Sequence, residues 1–353
     1  MSSTVKGIAR RANVSAATVS LVLNGKSGIS EETRTKVLQA AADLNYAKRS
    51  GKPGKAGQPL TLRFLKIARH GHTVNRDHNV FLADYVDGLS AEANTLGHTL
   101  EIASFEGEPV ENIVRSLQGA EIDGAIVLGT ELTEPDFRLL RQIGVPFVVI
   151  DTFCDFTECN FVDMNNRDAV FKVVSHLVEN GFRDIGFIGS NVQTLNFHLR
   201  RTAFLEVMRK FELPFDERDI VVVDSTYDGS YQDMRAKLGA GLQVPDCYFC
   251  TNDIITYGCI KALREFDIRI PQDLSIVGFD NLPLSATMDP PLTTVEVSKK
   301  KIAALAVRLL DEQIQSNVRQ PAVKILVGAD LVLRQSVVPH AAMARARALD
   351  PSR

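Results

Sequence analysis

Polar side chains follow several short apolar segments, where they could bind a small ligand together. The segments are typical of buried parallel strands, and the polar residues that come directly after them are His70, Asp151, Ser190–Asn191, Asn252–Asp253 and Asp280. In open parallel sheets, ligands bind beyond the carboxyl ends of the strands. The spacing therefore predicts a polar cleft in which carboxyl and amide groups converge.

A CxxC sequence, Cys247 to Cys250, has the residue types of a redox or zinc site. It lies inside an apolar strand, however, where side chains three positions apart point to opposite faces of the sheet. Two thiols on opposite faces cannot share a metal ion or form a disulfide. We interpret both residues as core cysteines.

A histidine cluster at His70, His72 and His78 could ligate a metal ion. No Cys or Glu joins it nearby, and Arg69 and Arg76 would repel a cation. We interpret these histidines as lining of the cleft or as a solvated loop, and we expect no metal site.

Motifs of enzymes are absent from the sequence. There is no GxGxxG, Walker loop, GxSxG or HExxH. We therefore expect neither catalysis nor a cofactor.

The composition is that of a soluble globular protein of two or three compact units. The chain has 353 residues, of which 45% are hydrophobic and 24% charged. No apolar run approaches the roughly 18 residues of a membrane helix, and no apolar signal segment follows the start. Five cysteines do not form a disulfide framework. These observations predict a cytoplasmic protein with no membrane partner.

Charge is distributed unevenly along the chain. Residues 1–58 carry ten Lys and Arg against three Asp and Glu, a net charge of +7, which leaves −10 for the remainder of a chain whose total is −3. A basic head on an acidic body favours a polyanionic partner for the head alone.

Three short helices are predicted in this head. Apolar residues in segment 5–12 recur at i, i+3, i+4 and i+7. Ser15 is a good N-cap for a second helix over 16–23, and Ser30, followed by two acids, opens a third through residue 44. Two short helices joined by a tight turn, with a third packed across them, form a helix-turn-helix.

The rest of the chain alternates strands and helices after a linker. Residues 50–59 hold three Gly, two Pro and two Lys, which is typical of a flexible basic linker. Two series of four strands follow: Phe64–Ala68, Thr99–Ser104, Gly124–Leu128 and Phe147–Ile150, then Ile185–Ile188, Ile220–Val223, Tyr248–Thr251 and Ser275–Gly278. This pattern predicts two similar α/β lobes with parallel sheets covered on both sides.

About a dozen short motifs, in order over roughly residues 4–337, make the chain similar to the lactose-repressor (LacI/GalR) family. The head resembles its DNA-binding domain at Thr4–Lys6, Ala12–Ser15, Thr18–Ser20, Val22–Asn24 and Ile29–Arg34. The body resembles its effector domain, a relative of periplasmic sugar-binding proteins, at Pro146–Asp151, Asp163–Asn165, Thr251–Asp253, Val277–Asp280, Pro290–Val295 and Arg334–Ser336.

The resemblance implies that the second helix of the head lies in the major groove of double-stranded operator DNA. The residues expected at base edges are Ser15, Ala16, Ala17, Thr18 and Leu21, and those expected at phosphates are Lys6, Arg10, Arg11, Ser20 and Asn24. The family usually has Arg at the position of Leu21. Because apolar side chains there can contact only groups such as thymine methyls, we expect weaker direct readout.

A second departure falls in the linker. Family members carry a short hinge helix whose Leu enters the minor groove, and by spacing this is the region 49–55. It holds Gly51, Pro53 and Gly54, and Pro costs roughly 3 kcal/mol and Gly about 1 kcal/mol in a helix interior. We therefore expect no ordinary hinge helix.

For the effector cleft, the resemblance implies a set of six contacts: Phe81, Asp151, Arg200, Tyr227, Asn252 and Asp280. Their chemistry suits a polyol, because carboxylates accept hydroxyl hydrogens, Arg donates in a fork, and an aromatic face covers the apolar side of a sugar ring.

The resulting domain assignment is a helix-turn-helix domain at 1–48, a linker at 49–60, a two-lobed effector and dimerisation domain at 61–338 and a disordered tail at 339–353. The predicted function is that of a homodimeric transcriptional regulator, a repressor in the commoner family outcome, controlled by a sugar or sugar derivative. The alternative is a sugar-binding protein whose head has lost specific DNA recognition.

Overall fold

The computed structural model describes residues 5–23, 29–43, 58–69, 79–216, 220–316, 318 and 320–348. The chain divides into two compact units, Met1–Lys52 and Pro53–Arg353. Part of the predicted linker, residues 49–57, lies outside the described residues.

The first unit contains the helices α1 (Val5–Ala12), α2 (Ala16–Leu23) and α3 (Glu31–Asp43). Ile8, Val19 and Val37, one from each helix, are fully buried against one another. The Ser15 hydroxyl accepts the Thr18 amide at 3.0 Å and so caps α2, and Asn13 turns the chain with a φ of 53°. The predicted three-helix arrangement is confirmed.

The second unit begins with a six-stranded sheet in the order β11-β5-β4-β3-β1-β2. Its strands are β1 (Thr61–Ala68), β2 (Thr99–Glu106), β3 (Gly124–Leu128), β4 (Phe147–Ile150), β5 (Phe161–Met164) and β11 (Lys324–Val327). All pairs in it are parallel. Its faces are covered by α4 (Asn79–Thr95) and α12 (Lys299–Gln315) on one side and by α5 (Val110–Leu117) and α6 (Glu134–Leu140) on the other.

The second lobe has a parallel four-stranded sheet in the order β7-β6-β8-β9. Its strands are β6 (Ile185–Ser190), β7 (Ile220–Val223), β8 (Cys247–Cys250) and β9 (Ser275–Val277). The helices of this part of the chain are α7 (Asn166–Glu179), α8 (Leu195–Lys210), α9 (Tyr227–Gly239), α10 (Asp253–Glu265) and α11 (Pro283–Thr287). A short antiparallel pair, β10 (Thr294–Glu296) and β12 (Asp330–Val332), accompanies it.

The chain passes between the lobes three times: after β5, between β10 and α12, and between β11 and β12. The eight predicted strands are present, but β5 and β10 to β12 were not predicted. Each of these strands has three or four residues, one of which is charged, whereas the predicted strands of that length, β4 and β7 to β9, contain no charged residue.

Both cysteines of the CxxC lie in β8 and are fully buried. Burial raises the pKa of the Cys250 thiol to about 12. The thiols are therefore held in the unreactive protonated form, as the interpretation of core cysteines requires.

The prediction of a disordered tail is wrong for residues 340–348, which form α13 (His340–Ala348). Met343 is 1% exposed, with its sulfur 3.3 Å from the Ser275 hydroxyl. His340 Nε2 lies 3.1 Å from Asp246 Oδ2. One buried Met among Ala and Arg residues gives little periodic signal, although it anchors the helix on the second lobe.

Helices α9 and α10 approach each other closely at Gly258. A Cβ atom there would lie 2.1 Å from Ser230 Oγ and 2.4 Å from the Tyr227 carbonyl oxygen. Because the second of these atoms belongs to the backbone, a side chain can be accommodated only if the helices move apart.

We predict that Gly258→Ala lowers the free energy of unfolding by about 1–3 kcal/mol, the usual cost of overpacking. The matched control is Gly239→Ala in α9, where the nearest atom to a new Cβ, Phe266 Cζ, is 3.8 Å away. Urea unfolding should show this control at or slightly above wild-type stability. An equal loss of unfolding free energy in both variants would contradict a close contact between the helices at Gly258.

Candidate functional site

Two of the predicted site residues lie just after strands and have an unusual backbone conformation. Asp151 follows β4 with a φ of 60°, and Asp280 lies beyond β9 with a φ of 106°. Residues other than glycine rarely adopt a positive φ, and such backbone strain is most common at functional sites. The two residues are 2% and 5% exposed. The backbone thus holds two carboxyl groups in the interior at the strand ends.

Asp151 is held by residues of its own lobe. The Tyr85 hydroxyl donates to Asp151 Oδ1 at 3.1 Å, and the Thr130 hydroxyl donates to Oδ2 at 2.5 Å. Tyr85 in turn packs edge-to-face on Phe81, with ring centroids 5.4 Å apart. Phe81 and Tyr85 are one turn apart in α4, so the Phe81 ring lies next to the tyrosine that binds the Asp151 carboxyl.

Arg200 of α8 is 3% exposed, and each of its guanidinium nitrogens has an acceptor within the chain. Nε donates to Asn166 Oδ1 at 3.0 Å, Nη1 to the Thr251 carbonyl oxygen at 2.6 Å, and Nη2 to Met164 Sδ at 3.1 Å. The guanidinium carbon lies 3.7 Å from the centre of the Phe279 ring. Nη2 also lies 3.6 Å from Asp280 Oδ1. Arg200 and Asp280 are thus brought together as predicted.

Lys299 is a second buried cation of the site, which the sequence motifs did not predict. Its side chain is 2% exposed, and Nζ donates to the Asp280 carbonyl oxygen at 3.1 Å. Nζ also lies 3.4 Å from Asp84 Oδ2 and 5.1 Å from the centre of the Phe81 ring. Three consecutive lysines, 299–301, are typical of a solvated helix start, so the sequence gives no signal that the first is buried.

Two asparagines join the lobes. Asn196 of α8 donates to the Asp151 carbonyl oxygen at 3.1 Å, and Asn166 of α7 donates to Asn196 Oδ1 at 2.9 Å. Since Asn166 accepts from Arg200, a continuous chain of hydrogen bonds runs from Asp151 in the first lobe to Arg200 in the second. We call Asp151, Asp280, Arg200, Lys299, Asn166 and Asn196 the interlobe cluster.

Burial dominates the electrostatics of this cluster. It raises the pKa of Asp151 and, to about 7, that of Asp280, while Arg200 and Lys299 act in the opposite direction. Asp163, fully buried in β5, has a pKa well above its usual range because of burial and the neighbouring Asp151. At neutral pH the Asp280 carboxyl is therefore close to its titration range.

The remaining two predicted effector contacts have other surroundings. Asn252 is 1% exposed, and its side chain accepts the Ile255 amide at 3.0 Å as the N-cap of α10. Tyr227 begins α9 and lines a groove of about 470 Å³ together with Tyr257, Lys261 and Leu284. Phe81, Asp151, Arg200 and Asp280 are the members of the predicted set that the interlobe cluster contains or touches.

On the head, α2 presents an exposed face. Ser15, Ala16 and Ala17 are exposed, Leu21 is 40% exposed, and Thr18 is half-buried. Arg10 and Arg11 are exposed at the end of α1. Lys6 and Ser20 lie within α1 and α2, whereas Asn24 and the histidines 70, 72 and 78 lie outside the described residues. The predicted base-reading residues are therefore accessible on the head, Thr18 only in part.

Comparison with known proteins agrees with this division. Residues 4–48 match the bacterial regulatory proteins of the lacI family, and residues 174–337 match the periplasmic binding protein-like domain. The HTH-type transcriptional repressor PurR of Pasteurella multocida (strain Pm70) is 29% identical over 337 residues, which cover 95% of this chain and 98% of that protein.

Two solved structures share the fold at 24% identity, each covering 95% of this chain and 99% of its own. They are a complex of the transcriptional regulator CelR with cellobiose, with a TM-score of 0.70, and the Lac repressor dimer bound to operator and the anti-inducer ONPF, with a TM-score of 0.69.

A helix-turn-helix head that precedes a two-lobed periplasmic-binding-protein-like domain defines a DNA-binding transcriptional regulator with an effector domain. The chain thus combines the DNA-binding domain of the lacI family of bacterial regulatory proteins with a periplasmic binding protein-like domain, as the sequence motifs predicted. The relatives it matches are regulators rather than enzymes. No described helix is long and apolar enough to cross a membrane.

We predict that Asp280→Asn becomes more stable relative to the wild type, by free energy of unfolding, as pH rises from 5 to 8. A carboxyl whose folded pKa is raised to about 7 stabilises the fold below its unfolded pKa of about 3.9, and this contribution is lost as pH rises through the folded pKa. The amide does not titrate, and the difference should change by at most about 1.4 kcal/mol per pH unit.

Urea unfolding of the unliganded protein at pH 5, 6, 7 and 8 measures this difference. The exposed Asp87→Asn controls for the loss of one formal charge. Asn is tolerated at positive φ, so an offset that is constant with pH reflects the contacts of the amide rather than backbone strain. A stability difference that does not depend on pH would show that the pKa of Asp280 is not raised in the folded protein.

Proposed function

We propose that this chain is a homodimeric repressor whose affinity for operator DNA is controlled by a sugar or sugar derivative bound at the interlobe cluster. The observation that carries the proposal is the convergence of Asp151, Asp280 and Arg200, all nearly buried, where the two lobes meet. Matched carboxyl and guanidinium groups beside aromatic rings suit a polyhydroxylated ligand.

The lobes offer a route from ligand to DNA. Asn196 in the second lobe binds the backbone of Asp151 in the first, so a ligand that inserts between them changes how the lobes are joined. A ligand shifts the equilibrium between two arrangements of the lobes only by its difference in affinity for them. The free energy that couples ligand binding to DNA binding is typically roughly 1–3 kcal/mol. The named relatives, a PurR repressor and a cellobiose-bound CelR, favour the same arrangement.

The exposed face of α2 supports DNA binding with reduced direct readout. Ala16, Ala17 and Leu21 offer apolar contacts, whereas Arg10 and Arg11 offer charge at its side. Phosphate contacts position a protein on DNA without reading its sequence. The apolar Leu21 is also the observation that favours the alternative, a sugar-binding protein without specific DNA recognition.

We predict that the protein prefers DNA from upstream of its own gene over scrambled DNA by at least ~10³-fold at physiological salt. Arg10→Ala should weaken binding to both DNAs similarly and reduce the slope of log affinity against log salt by about 1, because one phosphate contact is lost.

Fluorescence anisotropy at low and physiological salt measures both quantities, with the exposed Arg115→Ala as the control for general charge. Equal affinity for the two DNAs that collapses with salt would favour the alternative, provided that other candidate operators also failed. An unchanged salt slope for Arg10→Ala would remove Arg10 from the interface.

We predict that Asp151→Asn weakens the sugar response by about 10-fold or more, because a hydrogen bond to a charged group contributes about 1.5–3 kcal/mol. Asn retains the size of the side chain and tolerates the positive φ, so operator binding without a sugar should not change.

A panel of sugars is titrated into the operator complex of the wild type, the variant and the control Asp155→Asn, whose side chain is exposed. A sugar that acts equally on the wild type and Asp151→Asn would place its site elsewhere.

A further inference from the structure

Asp163 is a buried carboxyl whose oxygens form no hydrogen bond of normal geometry. It is the third residue of the four-residue strand β5 and is fully buried. The Met164 backbone N–H and the Asn196 amide approach the carboxyl and lower its pKa, but neither carboxyl oxygen forms a hydrogen bond of normal geometry. Buried polar groups are nearly always hydrogen-bonded, and each exception needs a physical reason.

The surroundings of Asp163 are those of the interlobe cluster. Its carboxyl interacts electrostatically with Asp151 and Arg200, and it acts in turn on the Tyr85 hydroxyl. These are the residues that meet where β4, β5 and α8 converge. Asp163 therefore belongs to the same site as Asp151, at the carboxyl end of the neighbouring strand.

The polar atoms of this site that lack hydrogen-bond partners are mainly acceptors. They are both oxygens of Asp163, Oδ1 of Asp280 and the hydroxyls of Thr251 and Thr152. Within the described residues, by contrast, the cationic groups are occupied: every guanidinium nitrogen of Arg200 and the ammonium of Lys299 have acceptors in the chain. When Asp163 and Asp280 are ionised, the site therefore lacks a hydrogen-bond donor.

The balance of charge points the same way. Asp151, Asp163 and Asp280 are three buried carboxyl groups, against the two buried cations Arg200 and Lys299, and Lys299 also pairs with Asp84. Burial raises the pKa of Asp163 and Asp280, so these carboxyl groups ionise readily only when a cation pairs with them. An anionic ligand such as a sugar phosphate would oppose that ionisation. An ammonium group supplies three donors and the positive charge.

We propose that the effector is an amino sugar, whose protonated primary amine binds the Asp163 carboxyl. The inference rests on the proposed function, since it concerns the ligand of the same site. The hydroxyl groups of the sugar bind Asp151 and Asp280, and Asp163 selects the aminated ligand over the neutral parent sugar.

The test uses the full chain and three matched sets of ligands. Glucosamine, galactosamine and mannosamine are each compared with the parent hexose and the N-acetyl derivative, which keeps the nitrogen but not its charge. Isothermal titration calorimetry should show at least one amine that binds at least 10-fold more tightly than its parent and its N-acetyl derivative. This comparison needs no variant.

Asp163→Asn identifies the residue responsible. The variant should bind the amine and the neutral parent with equal, weak affinity, whereas the exposed Asp87→Asn should retain the preference of the wild type. Because the native carboxyl forms no hydrogen bond of normal geometry, the unliganded variant should unfold at the wild-type temperature or above it. A lower unfolding temperature would show that Asp163 has a structural partner and would overturn the proposal.

The remaining outcomes separate this inference from the proposed function. A neutral hexose that binds as tightly as its amine and weakens operator binding would overturn the amino-sugar inference but leave the regulator controlled by a sugar intact. The absence of binding by all three amines would also overturn the inference. Binding of the amine that Asp163→Asn leaves unchanged would remove Asp163 from the site.

Discussion

The need to satisfy one buried guanidinium group governs the junction of the lobes. Arg200 is almost inaccessible to water, and a buried charge persists only where acceptors surround it. Those acceptors come from separate elements: Asn166 at the start of α7, Thr251 after β8 and Met164 at the end of β5. The Phe279 ring covers the planar face of the guanidinium. Several connections must therefore keep their positions for one side chain to remain buried.

The same constraint explains why the site is electrostatically unusual. Arg200 and Lys299 offset part of the burial cost of the surrounding carboxyl groups, but Asp280 still has its pKa raised to about 7. Ion-pairing alone would lower it. Desolvation therefore outweighs attraction in this interior. A small change in the separation of the lobes would admit water and alter that balance, which makes the junction responsive to whatever occupies it.

The sequence predicted the architecture better than the individual contacts. Apolar runs at regular intervals were sufficient for eight of the strands, which include the whole four-stranded sheet, but not for β5 and β11 of the six-stranded sheet. Asn252 shows the limit, because an Asn between a strand and a helix has the same pattern whether it caps the helix or binds a ligand; here its oxygen accepts the Ile255 amide. Lys299 and Asp163 were missed because their burial depends on distant parts of the chain, α12 returning to the first lobe and β11 pairing with β5.

The backbone angles at Asp151 and Asp280 also limit how this site can diversify in evolution. At a positive φ, replacements other than Asn and Gly carry a conformational penalty in addition to any lost contact. Phe81, Arg200 and Lys299 lie in helices, where a new side chain meets no such barrier. Related regulators that recognise new ligands should therefore vary more readily at the helical positions around the cleft, while the two strand ends stay within a very small set of amino acids.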